Sequence, residues 1–246
     1  MAKAVTVSFD KYGGNYERLL RAFINSWEAN SSIPLEVHRI NPPETYGRSA
    51  AFYYNHRKLR QWIDSVDQDT IFIDCDMLCL KDPVDGFDLV DHIGYTDREG
   101  PIPFNGGVVF VKNTKESKEF LKKWYDIDEK MLYDEKFHKD YYHPKYAGMN
   151  QSSMGWMYEN GYDHLIRVLP DIYNKCDGWT GWQQAKMVHV KGHLRNCCLF
   201  DRSRDVNYIM AIKEVWKQYA EASDDIQPEV RKAGKVFPRA ESRPVV

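Results

Sequence analysis

Short apolar runs rich in β-branched residues alternate with longer segments of helical period, and this alternation constrains the fold more than any other property of the chain. Residues 4–9 (AVTVSF) read as a strand, residues 10–14 as a turn, and residues 16–27 as an amphipathic helix. A second strand over 35–40 is stopped by Pro42-Pro43, helical spacing returns over 52–63, and 70–73 (TIFI) is a third strand. Further strands are expected at 92–95, 107–111, 164–169 and 187–190, and further helices at 115–132, 150–158 and 206–220. The stretch 133–146, dense in Tyr, His, Lys and Asp, shows no clear period and predicts a surface loop. Strands alternating with helices imply an α/β fold with a mostly parallel central sheet flanked by helices.

A chain of 246 residues with 43% hydrophobic content suffices for one sizeable core. We expect one domain over 1–222 and a loosely ordered tail over 223–246, where prolines and basic residues (Arg231, Lys232, Lys235, Arg239, Arg243) replace apolar ones. No apolar run approaches the roughly 18 residues of a membrane span, and the first residues lack a signal-peptide layout, so a cytoplasmic protein is expected. The formal charge of −2 denies the chain the global basic field of a protein that grips nucleic acid through phosphates. Cys75, Cys79, Cys176, Cys197 and Cys198 form an odd set without paired CxxC spacings, which points to plain thiols rather than disulfides or zinc.

Chemistry is concentrated where Asp74-Cys75-Asp76 leaves the strand 70–73. In extended backbone, residues two apart share a face, so both carboxylates are expected together at the carboxyl end of a strand, where α/β sheets gather ligands. Two such acids suit a hard divalent cation, Mn²⁺ or Mg²⁺. Gly106-Gly107 reads as a close backbone approach or as a turn into the strand that follows. Tyr173, Trp179 and Trp182 are candidates for an acceptor platform or for packing. The region 186–204 is locally basic, contains His193, and suits an anionic donor or acceptor.

Several segments, in order, resemble glycosyltransferase family 8, the family of glycogenin and galactinol synthase. Lys58-Leu59-Arg60-Gln61-Trp62 and Ile71-Phe72-Ile73-Asp74-Cys75-Asp76 resemble its KLRxW-to-DxD segment, and Phe104-Asn105-Gly106-Gly107-Val108 its FNSGV. Asn150-Gln151 stands where the family has Asp-Gln, Ile172-Tyr173-Asn174 matches its IYN, and His189-x-x-Gly192-x-x-Arg195 resembles its closing HxxGxxK.

The resemblance implies a single-domain GT-A (Rossmann-like) fold and a metal-dependent glycosyltransferase that uses a nucleotide diphosphate donor, a UDP-sugar by analogy, with retention. It implies metal ligation by Asp74, Asp76 and His189, the imidazole leaning toward Mn²⁺ over Mg²⁺. It further implies diphosphate contacts from Lys58, Gly192 and Arg195, and uracil stacking by Tyr12 in the loop that opens at Asp10. Arg48 stands near the position of a nucleotide-contacting basic residue. Asn105, Asn150 and Gln151 are implied at the donor sugar.

Two departures matter. Arg195 replaces the usual Lys, exchanging a point charge for a planar fork. Asn150 replaces Asp, and an amide can neither carry charge nor act as a base, so Asp97 and Asp177 are candidate substitutes. The alternatives are a nucleotidyltransferase that builds nucleotide sugars and a non-catalytic sugar-nucleotide or glycan-binding protein. The acceptor is left open among glycan, protein, small molecule and modified DNA.

Overall fold

The computed structural model describes residues 2–9, 13–97, 104–142, 148–176, 178–200 and 207–222. A six-stranded sheet forms the centre. Its strands are β1 (Ala2–Phe9), β2 (Leu35–Ile40), β3 (Asp69–Asp74), β5 (Ile93–Asp97), β6 (Phe104–Val111) and β7 (Ile166–Leu169), in the order β2-β1-β3-β6-β5-β7. β1 is parallel to β2 and β3, β5 is parallel to β7, and β6 alone runs against its neighbours. The carboxyl ends of β1, β3, β5 and β7 therefore share one edge with the start of β6. A second, two-stranded antiparallel sheet pairs β4 (Met77–Cys79) with β8 (Met187–His189).

Both faces of β3 are buried, which is why 70–73 reads as a continuous apolar run rather than an alternation. Ile71 and Ile73 face α1 (Gly13–Asn30), where Phe23 and Trp27 pack. Phe72 faces α2 (Ala50–Asp64), stacking on Trp62 at 5.2 Å. On that same side lie α3 (Lys115–Tyr133) and α5 (Met149–Met157). α6 (Gly192–Phe200) and α7 (Asn207–Ala220) pack with α1 and the small sheet. α3 starts where the Thr114 side chain accepts the Ser117 amide, a standard N-cap.

A buried polar chain ties three helices together behind the sheet. Asp128 of α3, fully buried, accepts from Ser153 Oγ of α5 at 2.7 Å and stands 2.9 Å from His56 Nδ1 of α2. Ser153 Oγ in turn accepts from Trp124 Nε1 at 2.9 Å.

Three local expectations are corrected. Residues 135–142 form a helix, α4 (Glu135–Tyr142), rather than a loop. Asp134 Oδ1 accepts the Phe137 amide, Glu135 pairs with Lys139, and Phe137, His138 and Tyr141 share an inward face, a period hidden because its residues are amphipathic aromatics and a histidine. Gly106 and Gly107 lie inside β6 instead of forming a turn before it. Tyr173 and Trp182 are buried in different clusters of the core and half-buried Trp179 packs against the second, so the three do not share one exposed face as a platform would. The tail 223–246, Asp10, Tyr12 and Asp177 lie outside the described residues. All five cysteines are free thiols, and no described helix is long and apolar enough to cross a membrane.

Arg48 donates to the Met131 and Leu132 carbonyls at the end of α3 and stands 2.7 Å from His138 Nδ1, so its guanidinium caps a helix instead of reaching toward a nucleotide. Burial, reinforced by Arg48, pushes the His138 imidazole down to about 4 from an ordinary 6.5. A histidine whose folded pKa is depressed favours the fold while neutral. Stability from this source is full above pH 6.5 and is lost as pH falls from 6.5 toward 4. Thermal melts across that interval should show a smaller acid loss in His138→Gln than in the wild type.

Candidate active site

The site forms where β3 ends. Asp74 closes β3, and Cys75-Asp76 form a tight turn into β4 rather than continuing extended backbone, so the expected alternation does not place the acids. The turn brings them together in its stead. β4 then pairs with β8 so that Met77 stands opposite His189, and the Val190 amide donates to the Asp76 carbonyl at 2.8 Å. The result is a cluster from distant parts of the chain. His189 Nε2 lies 3.3 Å from Asp76 Oδ1 and 3.8 Å from Asp74 Oδ2, and one ligand atom from each of the three residues lies within 4.8 Å of the others. Ligand atoms about 2.2 Å from a shared ion stand at most about 4.4 Å apart, so this donor set fits a divalent cation with small side-chain adjustment.

Two cations balance the acids. Lys58 Nζ, which also lies 4.4 Å over the Trp62 ring, pairs with Asp74 at 2.5 Å. Arg195 pairs with Asp76 and also donates to the Val190 carbonyl and to Tyr16 Oη, each at 3.2 Å. Burial pushes the Asp76 carboxyl up, but His189, Arg195 and Lys58 outweigh it and hold the group well below the usual carboxylate range. Arg195 and Gly192 lie in the first turn of α6, a helix the sequence did not reveal, and Gly192 holds a φ of +54° that favours glycine. A cavity of about 290 Å³ is lined by Lys58, Asp74, Asp76 and Arg195 together with Tyr16 and Tyr54.

These positions decide little about substrate without kinship. Residues 43–196 match the model of the nucleotide-diphospho-sugar transferase family. The chain belongs to that family. No curated protein matches by sequence. Among solved structures, the chain resembles the glycosyltransferase GlyE of Streptococcus pneumoniae TIGR4 at TM-score 0.58 and 16% identity, over 91% of this chain and 62% of that one. The chain thus spans about three fifths of the GlyE chain. It also resembles the galactosyltransferase LgtC, solved with donor and acceptor sugar analogues, at TM-score 0.54 and 12% identity, over 95% and 100% of the two chains. A glycosyltransferase involved in glycosylation of the major capsid of PBCV-1 aligns at TM-score 0.56 and 16% identity, over 79% and 94%. At such identities the likeness establishes the fold, a GT-A glycosyltransferase fold.

Asn105 and Gln151, expected at a donor sugar, are engaged with the protein itself. Asn105 is buried, with Oδ1 accepting the Gly107 amide at 3.1 Å and Nδ2 2.8 Å from Cys176 Sγ. Gln151 Nε2 donates to the Phe104 carbonyl at 2.7 Å, and its Cγ faces Gly106. Asn150, 6% exposed in the first turn of α5, has no hydrogen-bond partner for either amide atom. A buried amide left so is costly.

Sequence reasoning missed what holds His189. Its ring lies flat against Gly107, where an added Cβ would come within 2.6 Å of Nδ1 and Cε1 and 3.2 Å of Asn174 Nδ2. A glycine inside a strand is the available signal, since it often marks close approach, here to an imidazole. Gly107→Ala is expected to push His189 off the acids and weaken Mn²⁺ binding by roughly 10–100-fold, as loss of a ligand's supporting contact does, with the melting temperature changed little. Calorimetric titration of Mn²⁺ checks this.

Proposed function

We propose that the protein is a metal-dependent, retaining glycosyltransferase of the family 8 kind, which uses a UDP-sugar and transfers the sugar to an acceptor hydroxyl. The observation that carries this reading is the convergence of Asp74, Asp76 and His189 beside two cations at the carboxyl edge of the sheet. Residues 1–222 form the catalytic unit, and 223–246 are a tail to it.

Asp74, Asp76 and His189 would hold Mn²⁺ or Mg²⁺, which when bound supplies positive charge to the leaving diphosphate. Lys58 and Arg195, now paired with the two acids, gain the diphosphate as a second anionic partner and orient it, Arg195 through two parallel donors. Gly192 brings the start of α6, with its free amides, toward the same phosphates. Asp10 and Tyr12 are assigned to the nucleoside by resemblance. Asn105 and Gln151 border the sugar and fix its place by hydrogen bonding.

Asn150 has no charge and cannot form a covalent intermediate, so attack takes place on the face the diphosphate leaves. The bond from the anomeric carbon to the β-phosphate oxygen breaks, the acceptor oxygen bonds to that carbon, and the acceptor proton passes to the departing phosphate oxygen. Kinship with nucleotide-diphospho-sugar transferases supports this over nucleotidyl transfer.

Thermal-shift measurement tests the reading. At about 100 times its Kd, UDP should stabilise the protein by about 2.7 kcal/mol, or roughly 5–10 °C, when Mn²⁺ is present. Equal shifts without metal, or with GDP, would overturn it.

A further inference from the structure

A second and larger cavity, about 600 Å³, opens on the same sheet edge at the ends of β5 and β7. It borders the His189 cluster through Asn174. This residue lines the cavity, is itself fully buried, donates through Nδ2 to Thr96 Oγ1 at 3.0 Å, and meets the His189 ring over Gly107. The cavity between Lys58 and Arg195 lies on the side of β1 and β3, and this one on the side of β5 and β7, so the three-residue cluster stands between them.

The lining is amphipathic and weakly acidic. Val168, 43% exposed, and Pro170 form an apolar shelf, while the Asp97 carboxylate and the Thr180 hydroxyl face the same space. Among the described residues, the charges on the wall are the carboxylates of Asp97 and Asp171 and the ammonium of Lys175, which Asp171 already pairs at 2.5 Å. The Asp97 side chain has no hydrogen-bond partner among the described residues. A net acidic wall repels phosphate, sulfate and a nucleic-acid backbone. A pyranose matches it, with one C–H face for the shelf and hydroxyls that donate to a carboxylate. The volume lies within the range of about 300–1,000 Å³ typical of small-ligand sites.

We propose that this cavity is the acceptor site and that it takes an uncharged glycoside, held over Val168 and Pro170 with its hydroxyls donating to Asp97. The proposal rests on the transferase reading above and adds to it where the acceptor sits and which acceptors are refused. Anionic acceptors, the expectation raised by the basic stretch 186–204, are disfavoured because that charge does not line this cavity.

Saturation-transfer NMR with p-nitrophenyl glycosides of glucose, galactose, mannose and N-acetylglucosamine, each with a sulfated counterpart, tests it, with calorimetry of UDP and Mn²⁺ run on the same samples. Wild-type protein should bind at least one neutral glycoside, its sulfated form more weakly. Val168→Trp and Thr180→Trp, both at exposed positions, should each raise that glycoside's Kd about tenfold or more while leaving UDP affinity with Mn²⁺ within about twofold. Absence of any glycoside binding, unchanged binding in both variants, or preference for the sulfated form would overturn the proposal. Glycoside binding that responds to the variants in a protein that ignores UDP and Mn²⁺ would overturn the transferase reading while upholding the cavity as a saccharide site.

Discussion

Asp76→Asn is expected to lower sugar transfer by at least about 100-fold while the protein stays folded. Removing a single group that stabilises developing charge in a water-poor site costs about 10²–10³ in rate, and in the proposed mechanism Asp76 serves a site in which cation and diphosphate charge meet. The carboxylate is buried, held ionised by His189, Arg195 and Lys58, and faces His189 Nε2 at 3.3 Å. Asparagine keeps the shape but not the charge, so Arg195 loses its counter-ion and the proposed metal would lose an anionic ligand. Initial rates of UDP release, with the circular dichroism spectrum as a check on folding, decide the matter. A rate within about threefold of the wild type would mean that this acid does not serve the reaction.

Asp128→Ala should have the largest effect on stability, a loss of about 3 kcal/mol or more. Its carboxylate is fully buried in α3 and is the common partner of His56 on α2 and Ser153 on α5, with Trp124 Nε1 joined through the serine. Truncation strands several buried polar groups at once, and their desolvation is then uncompensated. Urea titration should show a lower midpoint at unchanged slope. Asp128→Asn, which preserves one acceptor, should lose less. A loss under about 0.5 kcal/mol in the alanine variant would mean that the network is replaceable by water.

Much of the framework was legible because tertiary structure agrees with local pattern. β2 falls on the expected residues 35–40, β3 extends one residue beyond expectation at each end, and α3 one residue at its carboxyl end. The acids, the imidazole and both cations were found by motif, and the fold brings all five together. What was hidden shares a physical cause. β4 and β8 hold three residues each, too few for periodicity to show, yet their pairing carries His189 to the acids. The Cys75-Asp76 turn is decided by that pairing rather than by propensity. α4 buries aromatics and a histidine that read as surface residues, and Arg48 was drawn to carbonyls left over at the end of α3, which only the folded chain presents. Gly107 explains itself only once the ring it accommodates is in place.

In the proposed enzyme one imidazole from β8 shares a divalent ion with two carboxylates from the β3–β4 turn. Electron spin echo spectroscopy of the Mn²⁺ complex with UDP measures this directly, because a coordinated imidazole nitrogen modulates the echo. Nitrogen modulation in the wild type that disappears in His189→Gln is the predicted result. Mn²⁺ bound with no nitrogen modulation, or modulation that survives the substitution, would contradict it.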